Sequence, residues 1–211
     1  RSVFLSDDGQ TLAVGAHLNN GNGSDSGHVR IYKWSGSAWE QMGSDINGEA
    51  AGDRLGQTVS LSSDGRIMAV GSRQNASNGD NSGHARIYRW SGSVWEQMGS
   101  DIDGEATDDY SGFEVTLSSD GQTIAIGAVL NDGNGPDSGH VRIYRWSGSA
   151  WEQLGSDING EAAGDHLGWS VSLSSDGESV AIGAILNDGN GPDAGHVRIY
   201  RWSGSAWEQL G

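Results

Sequence analysis

The side chains best suited to chemistry fall at equivalent places in a pattern that repeats every 56 residues. Arg54, Tyr110 and His166 share one such place, Gln57, Phe113 and Trp169 a second, and Thr58, Glu114 and Ser170 a third. Arg54, Gln57, Tyr110, Phe113, His166 and Trp169 are therefore the candidate ligand-binding residues. Aromatic rings offer apolar contact and hydrogen-bonding groups fix orientation, a mixture that suits a ligand or partner surface. These are also positions where the copies differ. A unique site must come from such departures, because residues common to every copy are explained by the scaffold. Drift at exposed positions is the competing explanation.

Two other groups invite a metal. The loop Asn131-Asp-Gly-Asn-Gly-Pro-Asp137 and its twin from Asn187 to Asp193 are rich in oxygens and bent by glycine. Asp132, Asp137, Asp188 and Asp193 are thus candidate calcium ligands, although the spacing is not that of an EF-hand. A plain Asx-rich turn is the alternative. His28, His84, His140 and His196 recur at one position of each copy, and no acidic partner is evident at a catalytic spacing beside them. They are assigned a shared structural bond. The pairs Trp34/Trp39, Trp90/Trp95, Trp146/Trp151 and Trp202/Trp207 suit cross-strand stacking, with sugar stacking as the functional alternative. There is no Gly-x-Ser-x-Gly, phosphate loop or zinc signature, so no enzyme activity is expected.

The elements that must hold these residues are strands. In the third copy Glu114-Val-Thr-Leu-Ser118 alternates with period two, and Asp120-Gly121 makes a tight turn. Thr123 to Ala128 reads as a strand covered on both faces, and His140 to Trp146 and Trp151 to Leu154 follow. Gly155 to Asp165 is a long loop into the next copy. Four short antiparallel strands per repeat describe the blade of a propeller, with a stacked solenoid as the competing arrangement. The fold class is all-β, a β-propeller of four four-stranded blades at residues 1–43, 44–99, 100–155 and 156–211. In such a meander both long loops fall at one end of the sheet, the face expected to bind.

Composition narrows the partners. A net charge of −16 disfavours nucleic acid and anionic membrane surfaces, and no apolar run is long enough to span a bilayer. With no cysteine, disulfides and thiolate chemistry are absent. The chain opens at Arg1 inside a repeat, as a piece of something longer would. Four repeats either close directly or form part of a larger ring.

Leu167-Gly-Trp-Ser-Val-Ser-Leu, Val180-Ala-Ile-Gly-Ala and Gly195-His-Val-Arg-Ile-Tyr together resemble the FG-GAP repeat of integrin alpha-chain propellers and their microbial relatives. Asp53-Arg-Leu-Gly and Asp165-His-Leu-Gly match its lead-in with Leu for Phe. The resemblance implies an extracellular or cell-surface propeller that engages ligands on its long-loop face. It also implies calcium between the first two strands. Here that loop has shrunk to Ser-Ser-Asp-Gly, so Asp64, Asp120 and Asp176 are expected to be turn residues. The resulting expectation is a non-catalytic recognition or adhesion module for a protein or glycan, with no required cofactor and calcium as an option. The alternative is a building block that assembles with further copies of itself into a surface layer or filament.

Overall fold

The computed structural model describes residues 2–211, and they form strands without any helix. Four antiparallel sheets follow one another, one per repeat. In the third, the first strand Ser111–Leu117 pairs with Thr123–Ala128, which pairs with His140–Trp146, which pairs with Trp151–Gln153. The short turns behave as expected: Ser62 Oγ donates to Asp64 Oδ1 at 2.7 Å and the Arg66 amide donates to the same oxygen at 3.0 Å. Asp64 is thereby occupied in its own turn. Successive turns are stitched together, since the Ser63 amide donates to Ser119 O at 2.8 Å and the Ser119 amide to Ser175 O at 2.9 Å.

One element was hidden in the sequence. After the fourth strand the chain bulges and then pairs again with the third strand, as Ile46–Asn47, Ile102–Asp103 and Ile158–Asn159. Two-residue strands carry no period, which is why the segment read as loop. Their isoleucines are buried between sheets.

The core lies between blades. Ile67, Ala69, Ala85 and Ile87 of the second sheet meet Val115, Leu117, Ile124 and Ile126 of the third. Ala125, Val141 and Ile143 of the third meet Val171, Val180 and Ile182 of the fourth. Each buried branched side chain contributes about 1.5–3 kcal/mol, so one sheet alone would leave half its core in water. The exposed ends confirm this dependence. Val197 and Ile199 of the last sheet are 66% and 46% exposed, while their counterparts Val141 and Ile143 are 0% and 2%. The first strand likewise leaves Val3 and Leu5 at 69% and 51%. The four described sheets are therefore an open arc of blades and do not close on one another.

Tryptophan ties each blade to the one before. Trp95, Trp151 and Trp207 donate through Nε1 to the carbonyls of Met42, Met98 and Leu154 at 3.0, 2.8 and 2.7 Å. Each also packs on its hairpin partner, with ring centroids 5.4–5.5 Å apart and tilted. Stacking within a blade and a hydrogen bond between blades account for the pairs structurally. Replacing Trp151 by Ala should cost about 3–5 kcal/mol, read as a fall in the urea midpoint. Trp39, 42% exposed, should cost far less under the same substitution.

Candidate functional site

The long connections meet at one end of the sheets, as the meander requires. Asn78 Nδ2 donates to the carbonyls of Gly104 and Glu105 at 2.9 and 3.0 Å, clamping the loop within one blade onto the connection to the next. Asn134 repeats the clamp on Gly160 and Glu161, both at 2.9 Å.

On this face lie the six residues singled out by their variation. Arg54, Tyr110 and His166 each stand just before or at the mouth of a first strand, with φ of 58°, 56° and 55°. That left-handed backbone costs a side-chain-bearing residue about 1 kcal/mol. It is held by amide bonds to Asp25 O, Asn81 O and Asp137 O at 3.0, 3.1 and 3.2 Å. Two residues further on, the pairing shifts: Ser111 opposes Ala128 but Glu114 opposes Gly127, and Leu167 and Ser170 repeat the shift. Phe113 and Trp169 ride on these bulges, which re-aim side chains out of the regular pleat. Their rings stand 4.7 Å apart, and the His166 ring stacks on Trp169 at 6.5 Å.

Tyr110 joins through Arg73, whose guanidinium lies 5.6 Å from the Tyr110 ring and 5.5 Å from that of Phe113. Four of the six expected residues are thus linked into one group, with Arg73 as a member the sequence reading missed. Its counterparts are His17, Val129 and Ile185, so the same comparison of copies would have found it. Arg54 and Gln57 are not in ring contact with the group. Their Nε and Oε1, with His166 Nδ1, are buried polar atoms without a hydrogen-bond partner. Such atoms cost about 1–3 kcal/mol each and are rare in native proteins without a reason.

Glu114 is the first laddered residue after the Phe113 bulge, where the other copies have Thr58 and Ser170. It accepts a hydrogen bond from Thr58 Oγ1 at 3.3 Å. Burial pushes its carboxyl up to about 7, the Thr58 bond offsetting this only in part. A carboxyl half protonated at neutral pH is suited to move protons in both directions.

The acidic loops are occupied by their own backbone. Asp132 Oδ1 accepts the Asp137 amide at 2.9 Å and Asp188 Oδ1 accepts the Asp193 amide at 2.8 Å. Among the described residues, the triads close enough to share an ion lie elsewhere and include none of these four. They are built on the histidines. His84 Nδ1 faces Asp101 Oδ2 at 3.4 Å and His140 Nδ1 faces Glu105 Oε2 at 3.7 Å. The expectation that no acidic partner recurs beside these histidines is therefore corrected. The partners come from connections distant in sequence, and a constant separation within a repeat marks every residue alike. Burial, with Arg86 and Arg142 adding to it, pushes both imidazoles down to about 4, so both rings are neutral at pH 7.

One family pattern matches residues 47–88 and 159–200, one stretch falling on the second blade and one on the fourth. Those two stretches match the FG-GAP repeat. No curated protein matches it. Among solved structures, the chain resembles the periplasmic gluconolactonase PpgL of Pseudomonas aeruginosa at 18% identity and a TM-score of 0.65. The whole chain is covered, and 56% of the lactonase. KlAtg21, in complex with the coiled coil of AgAtg16, matches at 10% identity and a TM-score of 0.64, with 56% of it covered. A Bacteroides uniformis protein assigned as a 6-phosphogluconolactonase matches at 11% and 0.54, with 70% covered. The chain thus spans little more than half the length of the first two. At these identities the likeness establishes the fold alone. The expectation of a non-catalytic adhesion module is corrected to this extent: two neighbours that share the fold are named as lactonases, so the fold does not exclude catalysis.

Proposed function

We propose that this chain forms part of a propeller enzyme that opens the lactone ring of a sugar acid at the mouth lined by Phe113, Trp169 and Glu114. The observation that carries the reading is Glu114 itself: a carboxyl at one copy only, pushed up to about 7 by burial, next in the chain to Phe113, whose ring meets the exposed Trp169. The substrate class follows the names of the two lactonase neighbours. A location outside the cytoplasm accords with the FG-GAP match and with the periplasmic neighbour.

In this reading the substrate ring stacks on Trp169, which is 41% exposed and braced by Phe113 and His166. The ionised Glu114 takes a proton from water while the water oxygen bonds to the lactone carbonyl carbon. Arg73 places positive charge at the same rim, where the carbonyl oxygen becomes negative. When the tetrahedral centre collapses, the ring C–O bond breaks and the departing oxygen takes the proton that Glu114 has just gained. The enzyme returns to its starting state and the product is a hydroxy acid.

Titration of released acid at constant pH 7 with glucono-δ-lactone tests this. Release above the buffer rate, lost in Glu114→Gln, is expected; a rate equal to buffer alone rejects the reading. Trp169→Ala should raise KM about tenfold, the loss of one stacking contact of ~1.4 kcal/mol, and leave kcat nearly unchanged.

A further inference from the structure

We infer that Glu49, His84 and Asp101, and again Glu105, His140 and Asp157, form two binding sites for a divalent transition-metal ion, each fastening one repeat to the next. In each set the three ligand atoms lie within 4.8 Å of one another. The histidine side chains are 0% and 1% exposed, and neither Nδ1 nor Nε2 has a hydrogen-bond partner. Each Nδ1 is aimed at carboxylate oxygens: Asp101 Oδ2 at 3.4 Å in one set, Glu105 Oε2 at 3.7 Å and Asp157 Oδ2 at 3.9 Å in the other. These separations exceed the 2.7–3.2 Å of a hydrogen bond. They approach the ~3.4 Å edge of a tetrahedron whose metal–ligand bonds are about 2.1 Å.

Outer contacts turn the oxygens inward. Gln97 Nε2 donates to Asp101 Oδ1 and Gln153 Nε2 to Asp157 Oδ1, both at 2.6 Å, leaving the Oδ2 atoms toward the imidazoles. Arg86 stands 3.4 Å from Glu49 Oε1 and Arg142 3.8 Å from Glu105 Oε1. Partners of this kind orient metal ligands and fix their direction. In the first set Asp103 Oδ1, buried and without a partner, lies 4.0 Å from His84 Nδ1 and offers a further oxygen.

The first repeat supplies a contrast. There Arg30 takes both oxygens of Asp45, at 2.9 and 2.8 Å, so the carboxylate beside His28 is already paired, whereas its equivalents Arg86 and Arg142 reach toward the glutamates instead. One imidazole nitrogen with two carboxylates suits zinc or a neighbouring first-row ion, whereas calcium and magnesium prefer oxygen alone. Each glutamate belongs to the connection leaving one blade, and the histidine and aspartate belong to the next. Bound metal therefore bridges the joint, independently of any lactone chemistry.

The test is calorimetric titration of chelator-stripped protein with zinc chloride at pH 7, alongside thermal unfolding. Two zinc ions per chain and a higher unfolding midpoint are expected. Asp101→Asn and Asp157→Asn, at half-buried positions, should each weaken one site at least about tenfold, and together abolish the midpoint shift. Asp45→Asn should change neither. Glu49→Gln with Glu105→Gln serves as a second pair should either aspartate variant fail to fold. Absence of binding to the native protein, or unchanged stoichiometry in a folded double variant, overturns the assignment.

Discussion

Replacing Glu114 by Gln should make the protein more stable at pH 8 and far slower on lactones. The folded carboxyl titrates near 7 where an ordinary glutamate titrates near 4.5, so the folded state keeps its proton across that interval and the unfolded chain does not. Its contribution to stability is fully present below about pH 4.5, falls as pH rises, and is lost above about 7. The full shift corresponds to roughly 3 kcal/mol. Glu114 keeps some solvent contact, which lowers the expected penalty to about 1–2 kcal/mol. Gln has a similar shape and can still accept the Thr58 hydrogen bond, but it carries no charge. Urea unfolding at pH 4 should then find variant and native protein alike, and at pH 8 the variant ahead by about 1–2 kcal/mol. Loss of a general base should lower kcat by about 10²–10⁴. An unchanged difference between the two proteins at both pH values would refute the titration assigned to Glu114.

The larger effect on stability is expected at the glycine of the second strand. A Cβ on Gly127 would stand 2.3 Å from Gly168 O of the next blade, and one on Gly71 would stand 2.1 Å from Gly112 O. The obstacle is backbone on both sides, so relief requires the blades to part. Gly127→Ala should cost about 3 kcal/mol, at the upper end for an overpacked core. Gly183 occupies the same place in the fourth blade, but a Cβ there meets nothing nearer than Ser170 Cβ at 3.7 Å. Gly183→Ala should therefore be neutral or stabilising by about 0.5–1 kcal/mol, since Ala restricts the unfolded chain more. The same substitution in the same local sequence should thus destabilise in one blade and not in the other. Equal urea midpoints for the two variants would remove close blade contact as the reason for this glycine.

The contrast between Gly127 and Gly183 marks where sequence stops informing. Alternation in Val115 and Leu117, the Asp-Gly turns and the 56-residue step determined the strands, their order and the face that carries the long loops. These are local or periodic properties, and a chain expresses them wherever it folds. Comparing copies also located Tyr110, Phe113, His166 and Trp169 as departures from the pattern, and the bulges gather them into one group. Only the tertiary structure decided what surrounds each residue. It placed Arg73 over the aromatic rings, raised the Glu114 carboxyl by burying it, and set Glu49 and Asp101 beside His84. Burial and electrostatics depend on residues brought together from different blades. In a repeated sequence every pair of equivalent residues has the same spacing, so spacing cannot distinguish the pairs that meet from those that do not.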